Sequence, residues 1–265
     1  MMLFGKKKDK LGICLSGGGA LGYAHIGALQ AFEEYNIYPQ HVSGASVGAL
    51  IGVLYAEGYK SSDILKLINE EKLFKISHLF RIKNVLTSEG LTDISKVEEV
   101  LHKRIPHNSF DKLKRRFYVS VADLYKPKSE IISTGNRLIE SVIASASFPV
   151  FFEPKKYDSS VFVDGGVLNN FPVEPLLKNT RTVVGLDLLF PEPNVEIHSK
   201  MDIISRVYRI MSTEMQATRI KKCHHYIPIK GLTSYRIYDF DKLDELYRLG
   251  YLSVKDYLAK HKSLI

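Results

Sequence analysis

The sequence predicts an α/β domain built on a mostly parallel sheet with helices on both faces. Two observations carry this reading. Short apolar runs end in glycine-rich turns, and each turn is followed at once by a segment with apolar residues at helical spacing; this strand, turn, helix order occurs twice before Tyr59. Parallel neighbours need such a crossover, because a two-residue hairpin cannot join them.

The first strand is the run Leu11-Gly-Ile-Cys-Leu15, closed by Ser16 and three glycines. From Leu21 to Tyr35 the apolar residues Leu21, Ala24, Ala28, Leu29 and Phe32 fall on one helical face, and Pro39 ends the connection. A second strand, His41 to Ala45, leads into Gly44-Ala-Ser-Val-Gly48 and a small-residue helix from Ala49 to Tyr59. Ser61 to Phe74 opens with a serine cap and carries Ile64, Leu65 and Ile68 on one side.

Next comes a basic amphipathic stretch, residues 72 to 83, in which Phe74, Ile76, Leu79, Phe80 and Ile82 interleave with Lys72, Lys75, His78, Arg81 and Lys83. Such a stripe can lie on an anionic bilayer or lid a lipid site, although stripes of this kind more often pack on their own core. Further helices are expected at Asp93–Leu101 and Leu138–Ala146, and strands at Arg116–Asp123, Glu130–Thr134, Val161–Val163 and Thr182–Leu188. The segment Asp202 to Lys222 reads as a helix whose apolar side, Ile203, Val207, Ile210, Met211 and Met215, should face the core. A last strand at His224–Ile229 and a closing helix at Phe240–Leu258 complete the plan. With no repeat or linker in view, one domain over residues 1–265 is expected, with a variable helical insertion at 60–110 as a candidate lid.

The composition narrows the classes. The chain has 265 residues, is 45% hydrophobic and carries a net charge of +8, which suits an anionic surface. Charge alone would also suit nucleic acid, but no nucleic-acid motif accompanies it, so no such partner is expected. Two cysteines, Cys14 and Cys223, lie far apart without ligand spacing, so neither a disulfide framework nor a metal is expected. The N-terminus has charges but no apolar h-region, and no apolar run approaches the roughly 20 residues of a membrane span. The expected setting is cytoplasmic, with membrane contact only peripheral.

The chemistry rests on three sites. Gly44-Ala45-Ser46-Val47-Gly48 has the form of a nucleophile elbow, in which glycines at two residues either side of the serine admit a tight strand-to-helix turn; Ser46 is the candidate nucleophile. Ser16-Gly17-Gly18-Gly19-Ala20-Leu21-Gly22 exposes backbone N–H groups at a helix start, a cradle for an anion. A dinucleotide loop would also require an acid at the end of the second strand, where Pro39, Gln40, His41 and Val42 stand. An oxyanion hole requires instead a nucleophile at the end of the neighbouring strand, and Ser46 is there, so Gly17, Gly18 and Gly19 are read as that hole and no cofactor is expected. The third is the base. His78, His102, His107, His224 and His225 stand in basic, helical or strand contexts, whereas Asp164 closes an apolar strand before two glycines. By itself Asp164-Gly165 reads more readily as an ordinary turn.

Taken together, Gly17-Gly-Gly-Ala-Leu-Gly-Tyr-Ala-His-Ile-Gly27, the elbow Gly44–Gly48, Ala144-Ser-Ala-Ser-Phe-Pro149 and Val163-Asp-Gly-Gly166 resemble the compact bacterial patatin-like phospholipases, in family order from about Leu11 to Val173. The resemblance implies a three-layer α/β/α fold, a Ser46–Asp164 dyad without a catalytic histidine, an oxyanion hole from the glycine loop, and lipid or phospholipid acyl esters as substrates. One departure is visible: many members have a basic residue where this chain has Leu21, which removes a possible phosphate anchor and makes acyl-ester hydrolysis the firmer implication. His25 matches the family's helix, where packing is its expected role. Two rivals stand beside the hydrolase: an acyltransferase that passes the acyl group to an alcohol or thiol, and a non-catalytic membrane- or acyl-binding module on the same fold.

Overall fold

A computed structural model describes residues 8–71, 94–149, 151–190 and 196–261. Its centre is one eight-stranded sheet. The strands are β1 (Asp9–Leu15), β2 (His41–Gly44), β3 (Arg116–Asp123), β4 (Lys128–Ile132), β5 (Lys155–Tyr157), β6 (Ser160–Asp164), β7 (Thr180–Asp187) and β8 (His225–Pro228). Their order is β5-β6-β3-β2-β1-β7-β8, with β4 paired to β3. The pairs β3–β2, β2–β1, β1–β7 and β7–β8 are parallel, while β4 and β6 run antiparallel to β3, and β5 antiparallel to β6.

Alternation along β1 shows that both faces are covered. Leu11, Ile13 and Leu15 enter the large core, whereas Cys14 points the other way and packs with Phe171, Val173, Leu176 and Val183. The helices are α1 (Tyr23–Glu34), α2 (Val47–Glu57), α3 (Ser61–Glu71), α4 (Ser95–Arg104), α5 (Leu138–Ala146), α6 (Glu174–Asn179), α7 (Lys200–Ile220) and α8 (Leu243–Lys260). This is the expected three-layer α/β/α arrangement. Helix α2 is buried on nearly every side, as its uniformly apolar sequence requires. Leu21, at the position where the resemblance implies a basic residue, is fully buried in the large core and serves packing.

Two expectations need correction or fall outside view. Helix α7 is inverted relative to its reading. Ile203, Val207, Ile210 and Met211 are exposed, and the side turned inward carries Asp202, Ser205, Tyr208, Arg209, Ser212 and Gln216. The physical reason is that its inner partners are polar. Tyr208 reaches Asn170, Arg209 donates to the carbonyls of Leu232 and Tyr235, and Gln216 donates to Asp187. The basic amphipathic stretch 72–83, and with it residues 72–93 of the expected insertion 60–110, lie outside the described residues.

Helices α1 and α8 pack backbone to backbone through two glycines. A Cβ on Gly250 would run into the Ala24 carbonyl, and one on Gly27 into the Tyr247 carbonyl. Overpacking a core costs roughly 1–3 kcal/mol when side chains can yield, and here backbone would have to move. Gly250→Val is therefore expected to lower unfolding stability by about 3 kcal/mol or more, read from urea denaturation; an unchanged midpoint would refute the backbone contact.

Candidate active site

The site is assembled where β1 and β2 end. The β2-to-α2 turn holds Ser46 at φ 53° and ψ −127°, a conformation that a residue bearing a side chain rarely adopts. Two close approaches enforce it: a Cβ on Gly44 would meet the Gly48 carbonyl, and one on Gly48 would meet the Leu15 and Ser16 carbonyls. The strained turn is further braced by Ser145 of α5, whose Oγ accepts a hydrogen bond from the Ser46 N–H at 3.0 Å and donates to the Ser120 carbonyl at 2.6 Å.

Strand register brings Asp164 to the level of Ser46. In β3, Val119 pairs with Gly44 and Val121 pairs with Asp164, so Asp164 stands two residues beyond Gly44, where Ser46 follows. Although β6 runs against the parallel strands, it pairs only with the C-terminal half of β3, and its end thus reaches the same edge of the sheet. Asp164 is fully buried. Its Oδ1 accepts the Gly166 N–H at 2.7 Å, while among the described residues Oδ2 has no hydrogen-bond partner. Burial raises its pKa from 3.8 to about 7, against the opposing influence of the nearby Ser46 hydroxyl and the Gly166 N–H. A second buried carboxylate, Asp187, makes the contrast: it accepts from the Leu189 N–H, Gln216 and Tyr226 and is fully engaged. An unpartnered buried carboxylate oxygen costs stability that the fold tolerates here.

The glycine loop lies alongside. Gly17 donates its N–H to Asn170 Oδ1 at 3.1 Å, and Asn170 returns a 3.4 Å bond to the Gly17 carbonyl. Asn170 also accepts from the Tyr208 hydroxyl at 3.0 Å, and burial raises the pKa of that phenol, so it stays protonated and donating. Among the described residues the N–H groups of Gly18 and Gly19 have no acceptor, whereas Ala20 donates to the Ile237 carbonyl. Gly19 has φ +58°, and a Cβ there would strike the Ile237 carbonyl.

His25 is fully buried and donates from Nε2 to the Ser16 carbonyl at 2.8 Å; desolvation lowers its pKa to about 4, which keeps it neutral. It braces the start of the loop. No described histidine hydrogen-bonds Ser46 or Asp164.

The structure thus brings together Ser46, Asp164, the Gly17–Gly19 loop and the turn glycines Gly44 and Gly48. Ser145, Asn170 and Tyr208 are additional. Ser145 stood within a motif noted from sequence without a role. Asn170 is one of two adjacent buried amides, Asn169 and Asn170, lying just before the buried Phe171-Pro172-Val173, and Tyr208 lies on the polar side of α7 that was expected to face solvent.

Comparison with known proteins identifies the family. Residues 13–177 match the family model of the patatin-like phospholipases, which is more than half the chain. The chain belongs to the patatin-like phospholipase family. Among curated relatives, a lysophospholipase nte1 of Aspergillus fumigatus is 26% identical over 289 residues, covering 96% of this chain and 18% of the relative. A lysophospholipase NTE1 of Cryptococcus neoformans is 28% identical over 185 residues, covering 68% of this chain and 11% of the relative. The chain therefore spans less than a fifth of the length of these relatives. Among solved structures, VipD from Legionella pneumophila shares the fold, with a TM-score of 0.58 at 19% identity over 96% of this chain and 67% of that one.

The raised pKa of Asp164 makes folding bind a proton between about 3.8 and about 7. Native stability from this group is thus greatest below that window and falls as pH rises through it. Asp164→Asn keeps an acceptor for Gly166 and removes the charge, and any cost of its amide does not vary with pH. The melting temperature of Asp164→Asn relative to wild type should rise by on the order of 5 °C from pH 4.5 to pH 8. A difference constant with pH would show that Asp164 is not held in a desolvated site.

Proposed function

We propose that this chain is a serine lipid acyl hydrolase of the phospholipase A or lysophospholipase type, acting through Ser46 and Asp164 within a patatin-like domain. The observation that carries the proposal is the fully buried Asp164, whose Oδ2 has no hydrogen-bond partner among the described residues, next to the hydroxyl of the strained Ser46. The names and family of the relatives support the lipid ester as substrate. No helix among the described residues is long and apolar enough to cross a bilayer.

In the proposed reaction, Ser46 Oγ attacks the ester carbonyl and Asp164 Oδ2 takes the hydroxyl proton. The carbon–oxygen bond to the leaving alcohol then breaks, and that oxygen receives the proton from Asp164. Water attacks the acyl-enzyme, gives a proton to Asp164, and releases the fatty acid as Ser46 recovers its hydrogen. The oxyanion of both tetrahedral states is held by the glycine loop. Gly18 and Gly19 have the uncommitted N–H groups, while Gly17 anchors the loop to Asn170. An aspartate at its ordinary pKa is a weak base for a hydroxyl, so the upward shift brings the acceptor toward the operating pH.

With a soluble short-chain ester, kcat/KM should rise with pH along a single limb with a midpoint near 7, the ionisation of Asp164. Ser46→Ala and Asp164→Asn should each lose roughly 10³-fold or more. Gly18→Pro, which removes one N–H and also forces the loop away from the φ of 164° that Gly18 adopts, should lose about 10²-fold or more in kcat with circular dichroism unchanged. Hydrolysis retained by Ser46→Ala would overturn the assignment. An added alcohol acceptor that diverts most of the acyl product would identify a transferase instead.

A further inference from the structure

Helix α7 is amphipathic in the inverted sense, and its outward stripe has nothing over it among the described residues. Ile203, Val207, Ile210 and Met211 follow one another at helical spacing, and each is between 47% and 49% exposed. A stripe of this size on an outer helix marks a surface that meets a partner. Its occupant follows from three features.

The first is charge. Lys200 precedes the stripe, Arg206 flanks it, and Lys221 and Lys222 follow it. None of these cations forms an ion pair among the described residues, and Glu214 is the one acid exposed on the helix. The same excess characterises the chain as a whole, at +8. A basic rim around an apolar stripe fits a surface with anionic headgroups and acyl chains beneath.

The second is continuity with the site. On its inner side α7 contributes Tyr208, which binds Asn170 beside Gly17 and lies edge-on to Phe148 at 4.9 Å between ring centroids. Leu188 and Leu189 pack on Gly18, and the Leu189 carbonyl accepts from Thr213 of α7. The next residue, Phe190, is 41% exposed. The segment that packs on the glycine loop is therefore tied directly to α7, whose outer side carries the stripe. The third feature is the reaction. A lipid acyl ester resides in an aggregate, so a surface beside the site that meets that aggregate lets the substrate enter without first crossing water.

We propose that the outer face of α7, with Phe190, docks on the surface of an anionic phospholipid bilayer and sets the mouth of the site against it. The inference rests on the lipid hydrolase reading for its purpose but not for its test. Vesicle co-sedimentation would compare the whole protein on phosphatidylcholine–phosphatidylglycerol vesicles and on phosphatidylcholine vesicles alone. The variants are the pair Val207→Ser with Met211→Ser, the pair Lys200→Glu with Arg206→Glu, and Ser46→Ala.

Wild type and Ser46→Ala should bind the anionic vesicles alike, and several-fold better than neutral ones. The serine pair should bind about tenfold or more weakly, since two half-buried apolar side chains are lost from the contact. The glutamate pair should lose the preference for anionic vesicles. Both pairs should cleave a soluble short-chain ester at the wild-type rate while hydrolysis of vesicle lipid falls with binding. Equal vesicle binding by wild type and both pairs would overturn the proposal. So would a wild-type dimer in sedimentation velocity that the serine pair disperses, with no vesicle binding, because the face would then belong to a second copy. Soluble-ester hydrolysis by Ser46→Ala would refute the dyad and leave the docking surface standing.

Discussion

Backbone crowding at the end of β1 is the constraint on which the rest of the site depends. Gly48 sits against the carbonyls of Leu15 and Ser16, and Gly44 sits against Gly48, so the chain passing from β2 into α2 has room for only one turn. That turn places Ser46 at a positive φ and lifts its side chain out of the sheet edge. The same contact fixes where the glycine loop begins, because Ser16 is held at both its carbonyl, by His25, and its hydroxyl, by the Leu188 N–H. Serine and loop therefore share one frame.

Desolvation is the second requirement, and it is met by neighbours far apart in the chain. Asp164 is enclosed by its own glycine turn, by Asn170 and by the Tyr208 hydroxyl, all of which crowd the position a Gly166 side chain would occupy. Tyr208 comes from a helix some forty residues further along. A protonated phenol and an amide can line a buried carboxylate without neutralising it, whereas a lysine or arginine there would pull its pKa down. Polar residues on the inner side of α7 are thus what a buried acid needs, and they displace the apolar stripe to the outside.

How far the sequence was legible follows from the same physics. Strands β1 to β3 and helix α5 are apolar runs bounded by glycine, proline or charge, and the expected Arg116–Asp123 and Leu138–Ala146 agree with the observed limits. Helix α6 went unread because Pro172 and Pro175 suggest a loop, although Pro175 stands at the start of the helix where its missing N–H costs nothing. Strand β5, Lys155–Tyr157, carries no apolar run at all and exists by pairing with β6. The glycine loop, the elbow and Asp164 could be singled out from the sequence because the chemistry proposed for them needs particular residues at short spacing. Ser145, Asn170 and Tyr208 were not, since each acts through a contact that only the fold creates. Periodicity in α7 announced two faces but could not say which was inside.

The central claim is that Ser46 is an activated nucleophile, and the most direct measurement is covalent labelling with a fluorophosphonate followed by peptide mass mapping. The account predicts a single adduct on Ser46 that forms far more slowly in Asp164→Asn. A folded, monodisperse protein that takes no label at Ser46, with or without lipid vesicles, would contradict it.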